Sequence, residues 1–332
     1  MSNRYDVVIV GAGTAGSYAG HLLAKNGFSV AIVERKRVDD IFKVTGDAIG
    51  SHHVESLGLG LESGGVAMIH YKGADVFSPD MSVRYRVLGE GGYGLDMSKW
   101  GGPWLARQAV NNGATIYERR SVTAPILDNG RVAGGVKVTS EDGHGESEVI
   151  GKVVIDASGA TGGVVRSRLP SNWLISEPLL PEDASYAYRE IIEVDYDIEE
   201  PEFIKIYLDN NISPGGYWWL FPKSRNTMNI GLGIWGGKLV KEKGLNPRQN
   251  YEKYLANSKY VHGRKIIHSG GGIVPTRRPL KSMVGPSILA VGGMPRWPSI
   301  LSTEAASGPR SSRPSWPAMR LRLRLKRGGI YP

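Results

Sequence analysis

The stretch that decides the fold is Tyr5–Gly16, which reads YDVVIVGAGTAG. Its first half is a run of apolar, β-branched residues typical of a parallel strand buried on both faces. Its second half places glycines at Gly11, Gly13 and Gly16, which allow a tight turn, close approach of a ligand to the backbone and close helix packing. The free amides at the start of a following helix attract phosphate groups. The spacing therefore predicts a strand, a phosphate-binding turn and a helix.

The residues that follow complete a βαβ unit. Phe28–Val33 is predicted as the second strand, and Glu34 follows directly, where a carboxylate can accept both ribose hydroxyls of a dinucleotide. Arg35 could contact a ribose phosphate or be solvated. The alternative for the whole unit is a tight βα turn without a ligand, with Glu34 as an ordinary surface residue. After the turn, side chains recur at the spacing of one face of a helix, which predicts a helix with this face buried: Ala15, Tyr18, Ala19, Leu22 and Leu23. We assign to the dinucleotide Gly11, Gly13, Thr14, Ala15, Gly16 and Glu34.

Composition excludes several other classes of protein. The 332 residues are 41% hydrophobic and 22% charged, an ordinary globular balance. Cysteine is absent, which excludes disulfides, thiolate metal sites and cysteine nucleophiles, and the seven histidines show no metal-ligand spacing. No apolar run approaches the ~18 residues of a membrane span, and no signal peptide is seen. We expect a cytoplasmic protein.

The formal charge of +9 lies mostly in the C-terminal tail. Residues 293–332 hold eight Lys or Arg and one acid, so they carry +7, and the first 292 residues carry only +2. A nearly neutral body gives no support for a nucleic-acid groove, and we expect no nucleic-acid partner.

The rest of the chain predicts a return to the first sheet and a second sheet. Asn129-Gly130 predicts a hairpin between Ser121–Leu127 and Arg131–Thr139. A parallel strand is expected at Lys152–Asp156, a β-rich aromatic segment from Ser185 to about Gly236, and a helix at Asn246–Ser258. Ile288–Gly292 is expected as another buried strand.

Three spaced segments resemble the glutathione-reductase-type FAD fold. They are the glycine turn at Gly11–Gly16, the late strand and glycine turn at Val153–Gly159, and the terminal strand at Ile288–Gly292. The resemblance implies FAD, and it adds Val122, Asp156 and Gly159 to the cofactor residues. No second GxGxxG is present, so the external reductant is either transiently bound NAD(P)H or a protein such as ferredoxin.

The middle of the chain resembles the archaeal geranylgeranyl reductases. Ser213–Lys223 reads SPGGYWWLFPK, with Gly231-Leu232-Gly233 after it, and is similar to the family's YxWxFPK…G signature. Lys43–Ala48 is similar to the family's loop after the second strand, which assigns Gly46 and Asp47 to the cofactor. The resemblance implies saturation of isolated C=C bonds in polyprenyl chains of ether-lipid precursors. Two departures are Thr45, where many members carry Cys, and Met97, where broader flavin families often carry Arg.

The aromatic segment predicts a substrate surface. An alternating strand places Tyr217, Trp219 and Phe221 on one face, which can line a slot for an isoprenoid chain or form ordinary core packing. Pro222 and Lys223 complete the assigned substrate residues, and Lys223 could meet a lipid phosphate or be solvated. No catalytic residue is assigned, although Tyr217 is a candidate proton donor.

These observations predict an α/β protein with a Rossmann-like FAD-binding domain and an inserted antiparallel substrate sheet. The expected domains are 1–80 and 81–184 for FAD, 185–270 for substrate, 271–292 for the return strand, and 293–332 for a disordered basic tail. The expected function is FAD-dependent saturation of geranylgeranyl lipids, with peripheral membrane contact allowed and the oligomeric state open. The alternatives are a flavin monooxygenase of similar fold and a truncated, non-catalytic remnant.

The tail after Gly292 predicts a frameshift and a truncated C-terminus. We suppose that the gene is read one base late, so that each original codon consists of the last base of one present codon and the first two bases of the next. The codons of Met294-Pro295 then give Ala, and those of Gly293-Met294 permit Asp. Continuing to Arg310, the shifted frame permits the Asp-Ala turn and the glycine-rich NPxHGGGxGPA pattern that the resemblance leads us to expect there. A genuine basic tail that binds anionic lipid or RNA is the alternative.

We predict that the chain as given binds FAD poorly and that restoring the frame restores binding. Proline lacks an amide donor, and Pro295, Pro298 and Pro309 fall where a helix start is expected. The frame-restored protein should purify yellow, with stoichiometric FAD and reductase activity. Full FAD occupancy and activity in the unaltered chain would show that the tail is genuine.

Overall fold

The computed structural model describes residues 4–41, 47–58, 60–61, 63–159, 163–276 and 280–291. Strands in these ranges are β1 Arg4–Val10, β2 Val30–Val33, β3 Ala48–Gly50, β4 Ala67–Phe77, β5 Arg84–Leu95, β6 Thr115–Tyr117, β7 Val122–Asp128, β8 Arg131–Thr139, β9 Glu146–Asp156, β10 Ala184–Glu193, β11 Phe203–Tyr207, β12 Tyr217–Pro222, β13 Thr227–Trp235, β14 Lys265–Pro275, β15 Val284–Gly285 and β16 Ile288–Ala290.

Helices connect and flank these strands. The α-helices are α1 Thr14–Lys25, α2 Ser51–Leu57, α3 Met97–Lys99, α4 Arg107–Asn111, α5 Gly163–Ser167, α6 Gly237–Lys243 and α7 Pro247–Asn250. Wider π-helical turns span Trp100–Ala106 and Tyr251–Leu255, and short 3₁₀ turns lie at Val38–Asp40, Leu174–Ser176, Pro181–Asp183 and Lys259–Val261. None of the helices in the described ranges is both long and apolar enough to cross a membrane.

The first sheet has a parallel centre with strand order β15-β16-β9-β1-β2-β6, and the β7–β8 hairpin joins it through β9. β1 pairs in parallel with β2 and β9, and β16 pairs in parallel with β9. Ile9 therefore lies between Ile32 and Ile155 at the centre, and all three are buried. The unbroken apolar run of β1 follows from this burial on both faces.

Helix α1 packs closely on this sheet because it carries a glycine at the contact. A Cβ on Gly20 would lie 2.6 Å from Ile32 Cδ1, too close for any larger residue without movement. Leu23 and Ala24 complete the apolar face of the helix against β1 and β2. The predicted βαβ unit is confirmed, with the second strand beginning two residues later than expected.

The second sheet has the strand order β14-β10-β13-β12-β11-β4-β5-β3. Its described pairings are antiparallel, except for the parallel pair of β11 with β4. One face packs on a core that includes Trp218, Leu220 and Tyr251, and the opposite face carries Trp219 and Phe221. Strict alternation along β12 separates the two faces.

Most later predictions are confirmed, and the domain boundaries require correction. The hairpin is present, with Asn129 at φ 45° and Gly130 at φ 74°, as a tight turn of this type requires. The helix expected at Asn246–Ser258 ends earlier, at Leu255, after the π-helical turn. Residues 48–95 belong to the second sheet through β3, β4 and β5, so the expected division at residue 80 cuts across that sheet. Gly46, Thr45 and the tail 293–332 lie outside the described residues.

Candidate functional site

The first glycine turn is closed to larger side chains at two positions. Gly11 has φ +96°, and a Cβ there would lie 2.8 Å from Ala157 O. A Cβ on Gly16 would lie 1.9 Å from Gly11 O, so the helix start could not approach the turn. These two glycines set the distance between β1, α1 and the turn after β9.

Gly13 differs because space is open beside it. It precedes α1, and a Cβ there would meet no atom of the described residues within 4 Å. The first turn of α1 contains no acidic residue, and no side chain in the described structure caps its amides. Unfilled space beside helix-start amides is what a pyrophosphate requires, so this cradle fits a dinucleotide. Ala15 lies in this first turn, and Thr14 Oγ1 accepts a hydrogen bond from Trp100 Nε1 at 3.2 Å.

Glu34 lies beside this turn and holds two parts of the backbone. Its Oε2 accepts from Ala12 N at 2.8 Å, and its Oε1 accepts from Lys36 N at 3.0 Å. Each carboxylate oxygen can accept a further hydrogen bond, so these contacts leave capacity for ribose hydroxyls. Arg35 is exposed, and its cofactor role stays a prediction.

The second glycine turn, after β9, adjoins the first. Asp156 is buried, accepts from Arg166 Nε at 2.7 Å, and accepts from Ser158 N at 3.1 Å. Its carboxylate therefore shapes the turn, and contact with the cofactor stays a prediction. Gly159 has φ +103°, and no other described residue lies within 4 Å of a Cβ placed there, while Val122 packs against the core of the first sheet.

The predicted aromatic face is real and largely buried. Tyr217, Trp219 and Phe221 share one face of β12, as the alternation predicted. Trp219 is 7% exposed and Phe221 is 2% exposed, so both serve as core packing in this structure. Tyr217 is only partly buried and packs at the margin of the same cluster. Of the three rings, Tyr217 is the most accessible to a substrate.

Lys223 is not solvated, which corrects one of the two expectations for it. Its ammonium group pairs with Asp47 Oδ2 at 2.7 Å, and the two side chains are 1% and 0% exposed. Burial lowers the pKa of the Lys223 ammonium, and the Asp47 charge opposes this effect. Pro222, just before it, accepts a hydrogen bond from Tyr71 Oη at 2.5 Å through its carbonyl oxygen.

Asn229 is a functional candidate that sequence reasoning missed. Its Nδ2 donates to Asp47 Oδ2 at 2.7 Å, and its Oδ1 accepts from Trp219 Nε1 at 3.0 Å. One signal in the sequence could have found it. Asn229 lies between the apolar residues Met228 and Ile230, so alternation along the strand places its amide on the face that carries the aromatic rings. Among the described residues, no cluster of His, Cys, Asp or Glu is arranged to hold a metal ion.

Two family profiles match this arrangement. The profile described as a FAD binding domain matches residues 4–185, and the one described as a geranylgeranyl reductase catalytic domain matches residues 183–274. A digeranylgeranylglycerophospholipid reductase 2 from Methanopyrus kandleri is 31% identical over 295 residues, covering 88% of this chain and 71% of that protein. The chain belongs to the digeranylgeranylglycerophospholipid reductase family. The FAD domain of the family is therefore present, as the glycine turn predicted.

Other relatives agree with this family assignment. A digeranylgeranylglycerophospholipid reductase from Sulfolobus acidocaldarius is 36% identical over 295 residues and 87% of this chain. The chain spans 63% of the length of that relative. A geranylgeranyl bacteriochlorophyll reductase-like protein from Thermoplasma acidophilum shares the fold, with TM-score 0.77, 22% identity, and coverage of 87% of this chain and 70% of that one.

We predict that Gly13→Val and Gly16→Val fail for different reasons. A valine at Gly13 meets open space, so the fold should persist while the side chain occupies the pyrophosphate position and FAD binding falls at least ~100-fold, or ~2.7 kcal/mol. A valine at Gly16 collides with Gly11 O, so thermal stability should fall even without FAD. Thermal unfolding of the ligand-free variants and FAD titration separate the two effects. Unchanged FAD affinity in Gly13→Val would disprove the cradle.

Proposed function

We propose that this chain is a FAD-dependent reductase that saturates C=C bonds of geranylgeranyl chains in isoprenoid ether-lipid precursors. The observation that carries the proposal is the joining of two parts in one structure. The turn at Gly13 has room for a dinucleotide. The aromatic face of β12 adjoins Asn229 on β13, which donates a hydrogen bond to Asp47. The names of the related proteins support the same substrate class.

The residues of this chain would bind and orient FAD and would exclude water from the reacting double bond. The amides at Gly13 and the start of α1 would hold the pyrophosphate, and Glu34 would accept from ribose hydroxyls. When FAD is bound, the chemistry that it supplies is hydride donation to one alkene carbon. The apolar face around Trp219 would exclude water from the alkene, and Tyr217 Oη is the candidate proton source for the other carbon.

The proposal is tested with the frame-restored protein loaded with FAD, dithionite as reductant, and digeranylgeranylglycerophospholipid as substrate. We expect products that gain two hydrogen atoms for each saturated double bond, as measured by mass spectrometry. Rapid oxygen consumption driven by NAD(P)H, with no saturated lipid, would instead favour the monooxygenase alternative.

We predict that Tyr217→Leu reduces turnover without loss of the fold. A leucine keeps much of the apolar contact of this partly buried ring and removes the hydroxyl, so the flavin spectrum should persist while kcat falls about 10²-fold, the usual scale for a lost proton donor. The matched control is Tyr85→Leu, since Tyr85 is 66% exposed on β5. Equal turnover in both variants would remove Tyr217 from the mechanism.

We also propose that the protein is cytoplasmic and contacts membranes peripherally, because its substrate is a membrane lipid. The edge strand β14 exposes Ile266, Ile267, Ile273 and Val274, with 41–56% of each residue accessible. The double variant Ile267→Ser with Val274→Ser should reduce co-flotation with vesicles of archaeal-type ether lipid by several-fold. Flotation equal to that of the unaltered chain would exclude this surface.

A further inference from the structure

Four residues from distant parts of the chain form a buried polar cluster, here called the Asp47 cluster: Asp47, Leu95, Lys223 and Asn229. Asp47 Oδ2 accepts from both Lys223 Nζ and Asn229 Nδ2 at 2.7 Å. Lys223 Nζ also donates to the carbonyl oxygen of Leu95 at 2.5 Å. Leu95 N in turn donates to the backbone oxygen of Asp47 at 2.8 Å. These hydrogen bonds therefore connect Asp47, Lys223 and Leu95 in a closed ring, to which Asn229 is joined through Asp47.

Packing alone does not explain a buried ion pair at this position. Removing both charges from water costs more free energy than burying apolar residues of similar volume. Asp47 also has φ +64°, a left-handed conformation that is uncommon for a residue with a side chain. The surrounding contacts must hold both the charge and the strained backbone in place.

The cluster lies between the aromatic hairpin and the dinucleotide unit. Lys223 and Asn229 belong to the hairpin β12–β13, and Asp47 begins the second sheet just before β3. Leu95 is followed by Asp96, whose backbone oxygen accepts from Trp100 N at 2.9 Å. Trp100 Nε1 donates to Thr14 Oγ1 at the start of α1. A continuous series of contacts thus joins Lys223 to the cofactor cradle.

We propose that Lys223 is a positioning residue for Asp47 on the cofactor side of the site, and that it does not bind the lipid headgroup. The proposal deepens the proposed function and depends on it only where lipid turnover is measured. Lys223 is turned inward, so a lipid phosphate could reach it only by displacing Asp47.

Other charged and titratable groups also act on Asp47. They are Arg189 from β10, His268 from β14 and Tyr71 from β4. Burial and the Asp47 charge raise the pKa of Tyr71, and burial together with Arg189 lowers the pKa of His268. If Lys223 is neutralised, Asp47 loses the ammonium group 2.7 Å from its carboxylate, and a buried charge is left without its ion-pair partner.

The variants for the test are Lys223→Met, Asp47→Asn and their combination. Methionine keeps the length and apolar stem of lysine and removes the charge together with the hydrogen bond to the Leu95 carbonyl oxygen. The matched control is Lys205→Met, since Lys205 is a partly buried lysine on β11 that donates to the backbone oxygen of Glu199 at 2.7 Å.

The first measurement is the FAD dissociation constant and flavin spectrum between about pH 5 and pH 9. In Lys223→Met, the buried Asp47 carboxylate has lost its ammonium partner, so FAD affinity should fall by about tenfold across this pH range. Addition of Asp47→Asn removes the unpaired charge and should recover most of the affinity, and Lys205→Met should match the unaltered chain. A Lys223→Met profile equal to that of the unaltered chain would overturn the proposal, as would failure of the Asp47→Asn rescue.

The second measurement uses ligand-free protein and so does not depend on FAD or activity. Removing one partner of a buried ion pair leaves the other charge uncompensated and lowers the free energy of unfolding. Lys223→Met should therefore unfold at a lower denaturant concentration than the unaltered chain, with recovery in the double variant. Absence of this coupling would also overturn the proposal.

The third measurement separates the two roles of Lys223 by substrate. A headgroup ligand predicts that Lys223→Met raises KM for digeranylgeranylglycerophospholipid and not for digeranylgeranylglycerol, which lacks the phosphate. A positioning residue predicts an equal fall in kcat with both lipids. A selective KM effect would overturn the proposal. If the frame-restored protein reduces neither lipid, the proposed function fails, and the FAD and unfolding measurements still decide the role of Lys223.

Discussion

The structure depends on how closely the start of α1 can approach the end of β1. With no Cβ at Gly16, the helix start lies against Gly11 O, and with no Cβ at Gly11 the turn lies against Ala157 O. These two contacts bring together the ends of β1 and β9 and the start of α1, and no described residue lies within 4 Å of a Cβ placed on Gly13. The position of β9 and the second glycine turn follows, because Ala157 comes directly after that strand. A phosphate cradle is therefore a consequence of how the backbone packs.

The second sheet uses its two faces for different purposes. The face with Trp218, Met228 and Ile230 is mainly apolar and supplies the core, and its buried Glu190 accepts hydrogen bonds from the Tyr188 and Tyr251 hydroxyls. The opposite face mixes aromatic rings with buried polar groups, and Trp219 links the two kinds because its ring packs on Ile206 while its Nε1 donates to Asn229. Burying Asn229 and Asp47 is tolerable only because each finds hydrogen-bond partners. Aromatic packing and charge placement are thus coupled in one face.

Local patterns in the sequence predicted the local structure well. The run of β1, the helical spacing of α1 and the Asn129-Gly130 turn each depend on residues within about a dozen positions, and each is confirmed. Contacts between distant residues were not predictable in the same way. Lys223 and Leu95 are 128 positions apart, and Asn229 and Asp47 are 182 apart. No spacing rule reveals such a pair, so Lys223 was interpreted as a headgroup ligand or a solvated residue.

The same distinction explains why the domain boundaries were misplaced. The parallel pairing of β11 with β4 places Ile204 beside Ala74, although the strands β6 to β9, which lie between them in sequence, belong to the first sheet. The chain therefore builds three of the eight strands of the second sheet after Asp47, returns to the first sheet, and supplies the other five strands from β10 to β14. Lys223 and Asn229 belong to the later group of strands, and both contact Asp47 at the start of the earlier group. The buried ion pair therefore joins two parts of the second sheet that are far apart in sequence, on the face that also carries the aromatic rings.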